Sequence, residues 1–301
     1  MKLTTLLHNS KAGRGKYTPA NLISIIQSQG FQCTNTAIKK SVLKKLTPAI
    51  DFLVVAGGDG TLRKVVSKLL KRKLLDKHFP IALLPTGTAN NFAKTLGING
   101  KDEEIIEGWK NAEIKKVDVG KIYNIPEAQF FLESFGYGLF PRLMKEMKGL
   151  DKKLKDTPEK KMKMALQVLD ELITEYEPSF CKLEVDGVDY SGEYILVEIM
   201  NTATIGPNLN FAQDSDPGDG VLEVVLIKAS QKDAFSSYIR KKIEGVEEPF
   251  RPLIIKGRNI KLLWEGNDVH VDDELIEIRN PADVTIELHP GLLEFLVPSI
   301  L

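Results

Sequence analysis

Two glycine-bearing loops hold the densest group of chemically useful residues in the chain: Gly57-Gly58-Asp59-Gly60-Thr61 and, one strand later, Pro85-Thr86-Gly87-Thr88-Ala89-Asn90-Asn91-Phe92-Ala93. Each leaves an apolar run, Phe52 to Ala56 and Ile81 to Leu84, whose consecutive apolar positions predict parallel strands covered on both faces. Loops at the C-terminal ends of such strands are where open α/β sheets hold anions, because backbone N–H groups and helix N-termini converge there. The pair predicts a phosphate cradle. Gly57 and Gly58 let the backbone approach a ligand that a Cβ would push away. Asp59 is the anomaly, since a carboxylate among phosphate-binding amides repels the ligand unless a divalent cation or a hydrogen-bonded hydroxyl lies between them. A magnesium nucleotide resolves the conflict; the competing reading is an ordinary turn in which Asp59 bonds its own backbone.

A second group is acidic. Phosphoryl transfer needs positioning, charge neutralisation and a carboxylate to take the proton from the attacking hydroxyl. Read as an extended segment, Asp272-Asp273-Glu274 projects Asp272 and Glu274 to one face and into one cleft, with Asp273 turned away. A hairpin turn on Asp-Asp, without chemistry, is the alternative. Asp219 lies in Pro217-Gly218-Asp219-Gly220, by itself a β-turn before the strand Val221 to Ile227. No Walker A loop is present, because Gly13-Arg14-Gly15-Lys16 lacks the spacing and is followed by Tyr17. The nucleotide must then sit on the first glycine loop, with Lys11, Arg14 and Lys16 either reaching its phosphates or forming a basic surface loop.

The elements that must position these residues alternate up to Asp118: a strand at Leu3 to Leu7, a helix around Asn21 to Gln29, the two loop-bearing strands, and a helix after each. This alternation predicts an α/β N-terminal domain with a parallel sheet. After the first loop Leu62, Val65, Val66, Leu69 and Leu70 recur at helical spacing, with Thr61 or a neighbour as cap. Beyond Val119 the texture changes to strands punctuated by turns, including a hairpin over Lys182 to Tyr190 on Asp186-Gly187 and strands at Glu193 to Met200, Asn259 to Trp264 and Val284 to Leu288. This predicts a mainly antiparallel β C-terminal domain. The expected domains are 1–118, with 290–301 returning to it, and 119–289.

One helical excursion interrupts the β domain, with Leu139, Leu143, Met147, Leu150 and Leu154, then Met162, Ala165, Leu166, Leu169 and Ile173, at amphipathic spacing. Lys145, Lys148, Lys152, Lys153, Lys155, Lys160, Lys161 and Lys163 crowd its middle. A solvated lysine face on a helical pair is the preferred reading; attraction to an anionic membrane surface, a peripheral contact, is the other.

Composition bounds the rest. The 301 residues suffice for two cores, and equal counts of Lys+Arg and Asp+Glu, 41 each, give no reason to expect a nucleic-acid partner. Cys33 and Cys181 are too few for a disulfide framework, which fits a cytoplasmic protein. The opening Met1 to His8 is short and interrupted by polar residues, so it reads as a first strand and not as a signal peptide. No apolar run approaches the roughly 20 residues that cross a bilayer.

The two loops together resemble the diacylglycerol kinase catalytic-domain family, which includes bacterial lipid kinases and the sphingosine and ceramide kinases. The resemblance extends to Asn9-Ser10-Lys11-Ala12-Gly13, to Asp118 in Val117-Asp118-Val119-Gly120, to Asn201 after a strand, to Gly218-Asp219-Gly220-Val221-Leu222-Glu223, and to Asp272-Asp273-Glu274. It implies an ATP-dependent and Mg²⁺-dependent kinase acting on a lipid hydroxyl, diacylglycerol or similar, located in the cytoplasm or peripherally at the inner membrane surface, with a homodimer as one assembly. By resemblance, Glu274 is the base with Asp272 and Asp59 beside the reaction, and Asn9, Thr36, Gly57, Gly58, Asp59, Gly60, Thr61, Thr88 and Asn90 meet the nucleotide. The resemblance also implies a structural Mg²⁺ on Asp219 and the carbonyls of Asp216 and Val221, organised by Asp118.

The chain departs from the family pattern at Ser10, Lys64, Asn91, Glu133, Gln213 and Asp273. Asp273 replaces a glycine, so the turn there is expected to differ. NAD kinases share the first loop but lack the long second one, which favours the lipid-kinase branch. A small-molecule kinase of that kind, or a catalytically weak nucleotide-binding member, stays as the alternative, and the acceptor lipid is not legible in the divergent β domain.

Overall fold

The structure, a computed structural model, describes residues 1–8, 18–38, 46–72, 77–87, 89–151, 157–278 and 283–298. The chain forms two compact units, Met1–Val117 with Pro290–Leu301, and Asp118–His289.

The first unit is α/β. Its elements are β1 (Leu3–His8), α1 (Pro19–Ser28), β2 (Gln32–Ala37), β3 (Phe52–Gly57), α2 (Asp59–Leu69), β4 (Ile81–Pro85), α3 (Asn91–Thr95) and α4 (Asp102–Gly108). The strands pair in parallel in the order β4-β3-β1-β2. All six residues of β3 are buried, as an apolar run covered on both faces requires. Helix α1 opens on Pro19 behind Thr18, whose hydroxyl accepts the Asn21 N–H at 3.2 Å, and buries Leu22 and Ile26. Phe31, Phe52 and Trp109 meet edge to face, with centroids 5.7 to 5.9 Å apart, at one end of this core.

The cap, expected at Thr61 or a neighbour, lies three residues before Thr61. Thr61 does not cap α2; the helix begins at Asp59 behind Gly58, which places Thr61 inside the first turn and buries it. The glycine loop is thus mostly helix: its last three residues form the first turn of α2, where the Thr61 N–H donates to the Gly58 carbonyl at 2.9 Å.

The second unit is mainly antiparallel β. After β5 (Glu113–Tyr123), which enters it, come β6 (Phe130–Phe131), β7 (Ser134–Gly138), α5 (Leu139–Asp151), α6 (Pro158–Glu175), β8 (Ser179–Val185), β9 (Val188–Asp189) and β10 (Gly192–Met200). There follow β11 (Thr204–Ile205), β12 (Leu209–Asn210), β13 (Leu222–Lys228), α7 (Lys232–Ile243), β14 (Leu253–Gly257), β15 (Asn259–Trp264), β16 (Asp268–Val271), β17 (Glu274–Glu277) and β18 (Val284–Val297). Strand β10 is the branch point: it pairs with β7, β8 and β13, and a register shift between Tyr194 and Leu196 lets it turn from one layer to the other. One core, with Phe135, Leu183, Val197 and Trp264, fills the sandwich, and the other, with Leu139, Leu169, Phe211 and Phe235, lies under α5, α6 and α7. The β8–β9 hairpin turns on Asp186 (φ 47°) and Gly187 (φ 85°), both left-handed, as its Asp-Gly sequence predicts.

The β unit carries more helix than expected. Helix α7 is a second excursion, and its polar sequence buries only Phe235, Ser236, Tyr238 and Ile239. Strand β18 is also longer than the predicted Val284 to Leu288; its distal part runs parallel to β4, with Phe295 opposite Ile81 and Leu296 opposite Ala82.

Trp109 is fully buried among Phe31 and Phe52. Trp109→Ala should destabilise the chain by about 3–5 kcal/mol in urea denaturation followed by circular dichroism, whereas Val246→Ala, at an exposed position, should change it by less than about 0.5 kcal/mol.

Candidate functional site

In the first unit the two glycine loops touch through their backbones. A Cβ on Gly58 would stand 3.0 Å from the Gly87 Cα, and a Cβ on Gly87 would overlap the Gly58 Cα outright. The glycines therefore allow loop to meet loop, a reason for them that the sequence reading did not contain. Gly57 adds a second constraint, because a Cβ there would lie 2.5 Å from the Thr61 side chain. The loops are also joined by the Thr86 N–H, which donates to the Gly57 carbonyl at 3.1 Å.

Asp59 completes the junction. Its carboxylate accepts the N–H groups of Asn91 at 3.1 Å and Phe92 at 3.2 Å. These are the first two residues of α3, so the side chain caps a helix other than its own, and those amides meet the charge that the sequence reading assigned to a cation. Asn90 closes the second loop from a left-handed conformation (φ 53°): its Oδ1 accepts the Gly87 N–H at 3.0 Å and its Nδ2 donates to the carbonyls of Pro85 and Gly87 at 3.3 and 3.2 Å. What remains is the N-terminus of α2, with Asp59, Gly60 and Thr61 in its first turn, fixed against a second loop. Such an end suits an anion through its first-turn N–H groups and the helix dipole. Asn9 and Thr88 lie outside the described residues. Thr36 lies on β2, its backbone opposite Leu7.

In the second unit the acidic tripeptide is not an extended segment. Val271 pairs with Glu274, so Asp272 and Asp273 form the two-residue turn between β16 and β17. Asp272 is left-handed (φ 51°), and Asp273, where the sequence lacks an expected glycine, is not. The left-handed requirement falls one residue earlier, where aspartate tolerates it better than most residues. The Asp272 carboxylate is buried and accepts the N–H groups of Leu132, Glu133 and Ser134 at 3.0, 2.8 and 3.2 Å. It therefore does not share a face with Glu274; it anchors the turn to the segment entering β7, while Glu274 is exposed at the start of β17.

The loop expected to hold a metal is ordered by its own hydrogen bonds. The Asp118 N–H donates to the Pro217 carbonyl at 2.6 Å and its carboxylate accepts the Gly220 N–H at 2.8 Å. Asp216 accepts the Gly218 N–H at 2.9 Å, and Asp219 accepts the Val221 N–H at 3.1 Å. Asn201, named in the sequence without a role, ties this loop to the anchored segment: its Nδ2 donates to the carbonyls of Asp118 and Leu132, each at 3.0 Å. Asp118, Asp216 and Asp219 are thus brought to one loop, but the loop already has a cation. The Lys256 ammonium stands 3.7 Å from the Asp219 carboxylate and 3.3 Å from that of Glu223, which is buried and also accepts the Ser215 hydroxyl at 2.8 Å. Burial pushes the Glu223 carboxyl up, against the pull of Ser215 and Lys256. Among the described residues no three acidic, histidine or cysteine side chains gather as a metal-binding group. The one carboxylate of the expected set, that of Asp219, is engaged by the Val221 N–H and by Lys256, and no step is derived through a metal here.

Neither thiol is a nucleophile at neutral pH, since burial pushes Cys33 up to about 11 and Cys181 up to about 12. Of the lysines on the helical pair, Lys145, Lys148, Lys160 and Lys163 are exposed, and Lys152, Lys153 and Lys155 lie outside the described residues.

Gly87→Ala should separate the glycine loops. The expected result is a loss of about 1–3 kcal/mol in chemical denaturation, with faster amide exchange at Asn91 and Phe92.

Comparison with known proteins places this geometry. The diacylglycerol kinase catalytic domain matches residues 4–122, and the YegS C-terminal NAD kinase β-sandwich-like domain matches residues 152–297. The diacylglycerol kinase of Bacillus subtilis (strain 168) is 25% identical over 263 residues, covering 81% of this chain and 80% of that protein. A crystal structure of a diacylglycerol kinase from Bacillus anthracis (strain Sterne) shares the fold with a TM-score of 0.71 at 22% identity, over 98% of this chain and 97% of that one. An NAD kinase from Archaeoglobus fulgidus, solved in complex with ATP, shares it more loosely, with a TM-score of 0.51 at 12% identity over 98% of this chain and 93% of that one. With both domains matched in order along its length, this chain belongs to the diacylglycerol kinase catalytic-domain family.

Proposed function

We propose that the protein transfers the γ-phosphoryl group of ATP to a lipid hydroxyl, on diacylglycerol or a closely related acceptor. The observation that carries this reading is the junction of the two glycine loops, where Asp59 caps α3 and leaves the N-terminus of α2 to receive phosphate. Gly57, Gly58, Gly60, Thr61 and Asn90 shape that end, and Asn9, Thr36 and Thr88 are assigned to the nucleotide by family position. The B. subtilis relative bears the name of a diacylglycerol kinase, which supports a lipid acceptor over a soluble one.

The side chains divide the work. Asp59 braces the nucleotide loops, so its charge acts on the protein more than on the ligand. Glu274, exposed and two residues beyond the turn, takes the proton from the acceptor hydroxyl. Asp272 holds the turn in place through three amides and acts as a positioning residue. Asp118, with Asp216, Asp219 and Val221, keeps the neighbouring loop ordered. Mg²⁺, arriving with the nucleotide, would supply charge neutralisation on its phosphates. Among the described residues no helix is long and apolar enough to cross a membrane, so the lipid would be met at the surface of a bilayer or micelle.

The test is a phosphorylation screen with Mg-ATP over diacylglycerol, monoacylglycerol, phosphatidylglycerol, ceramide and sphingoid bases, with NAD as a soluble acceptor. Phosphate on a lipid and none on NAD is expected; the reverse would establish the small-molecule kinase instead. With the acceptor in hand, Glu274→Gln should keep nucleotide affinity and lose about 10²–10⁴-fold in turnover. Asp59→Asn removes the charge and leaves one α3 amide without an acceptor, and should weaken nucleotide binding together with turnover. Unchanged turnover in Glu274→Gln would remove that residue as the base.

A further inference from the structure

A buried ion pair stands directly behind the turn that presents Glu274. His270, on β16, and Glu198, on β10, are 2% and 0% exposed. The His270 Nε2 lies 2.9 and 3.1 Å from the two Glu198 oxygens, and its Nδ1 lies 2.8 Å from the Asp272 carbonyl oxygen. The room for Glu198 comes from Gly136 on β7, where any Cβ would overlap the carboxylate.

The two contacts fix the proton count. A carbonyl oxygen only accepts, so Nδ1 must carry hydrogen. A neutral ring would then turn the Nε2 lone pair toward a carboxylate in a dry interior, which is repulsive. The pair therefore holds one more proton than a neutral histidine beside an ionised glutamate, whichever partner carries it at a given instant.

Among the described residues no other side chain is hydrogen-bonded to His270. Among elements packed on β16, β7 contributes no charged residue, and its Tyr137 has its hydroxyl pushed up by burial. On β17, Glu274 and Glu277 are exposed, as is Asp273 in the turn. On α5, Arg142 pairs with Glu146 at 3.1 Å, and Lys145 and Lys148 are exposed. Asp268 at the start of β16 is hydrogen-bonded to Tyr176. The Asp272 carboxylate faces the amides of residues 132–134.

We propose that Glu198 and His270 form a proton-sharing positioning unit that holds the Asp272 turn in its left-handed conformation and so sets the place of Glu274. The chain of contact runs from Glu198 through the imidazole to the Asp272 carbonyl, while the carboxylate of the same residue grips Leu132, Glu133 and Ser134. Removing the shared proton breaks one of the two ring contacts and releases the turn. The part about Glu274 rests on the function proposed above; the proton-sharing part does not.

Burial lowers the His270 pKa, but the charge and hydrogen bond of Glu198 and the backbone of Asp272 raise it further, so the net direction is up from the ordinary 6.5. A group raised on folding stabilises the fold fully below its unfolded pKa and loses that contribution as pH rises through the folded one. The contribution is therefore lost as pH rises above the ordinary histidine value of 6.5.

Three measurements on the intact protein decide the matter. In ¹⁵N spectra of the histidine-labelled protein at pH 6.5, the ordinary histidine midpoint, both ring nitrogens of His270 should be protonated or share the proton with Glu198; an Nε2 lone pair with no proton nearby would overturn the pair. In Glu198→Gln, amide protection at Leu132, Glu133 and Ser134 should fall at least 10-fold while β15 keeps its protection, and the loss of stability with rising pH should flatten. Unchanged protection would overturn the positioning role. With Mg-ATP and diacylglycerol micelles, the same variant should lower kcat at least 10-fold with KM for ATP unchanged. If Glu274→Gln kills turnover and Glu198→Gln does not, the inference falls and the base stands; if Glu274→Gln keeps turnover while protection and spectra are as expected, the base falls and the pair stands. Should Glu198→Gln not fold, protection of the three amides in the parent protein, corrected for intrinsic exchange, decides in its place. A drop that tracks the His270 titration supports the unit, and protection unaffected by that titration overturns it.

Discussion

The contact between Gly58 and Gly87 is the constraint on which the proposed nucleotide site of the first unit rests. Two loops that leave adjacent parallel strands can lie backbone to backbone only if neither carries a Cβ at the crossing. Once they do, the Asp59 side chain reaches the start of α3 and fixes the first turn of α2 against the second loop. An acid in a phosphate loop is paradoxical only while its partners are unknown. With two amide N–H groups donating to it, the carboxylate holds the start of α3.

The second unit solves a similar problem by other means. Its acidic turn stays rigid because one residue, Asp272, is held at both ends: the carboxylate by three amides, the carbonyl by a buried imidazole. Two-residue hairpin turns favour left-handed backbone, and aspartate adopts it at modest cost when neighbours over-determine the geometry. The tripeptide therefore keeps its hairpin although the glycine common in the family is absent at Asp273.

Much of this architecture was legible because it is local. Apolar runs of four or five residues ending in glycine loops identified β3, β4 and the helix N-terminus between them, and Asp186-Gly187 identified a hairpin by its turn chemistry alone. The partners of the site residues were not legible, because they lie far along the chain: Asp59 meets residues 32 and 33 positions away, Asp272 meets residues about 140 away, and His270 meets one 72 away. Helix α7 escaped notice for another reason. Only Phe235, Tyr238 and Ile239 form its apolar stripe, too narrow to stand out within a polar stretch. Reading Asp272 and Glu274 as alternating strand residues failed because period-two logic holds within a strand and not across the turn that joins two.

The two tryptophans of the sequence fall one to each unit, Trp109 in the first and Trp264 in the second, and both are shielded from water. Each lobe thereby contains its own native chromophore, in a different setting: Trp109 against two phenylalanine edges, Trp264 stacked on Tyr137 at 5.6 Å. Replacing either indole leaves a protein whose tryptophan emission reports a single unit, so the response of the first and of the second unit to ligand or heat can be followed optically without attaching a foreign label.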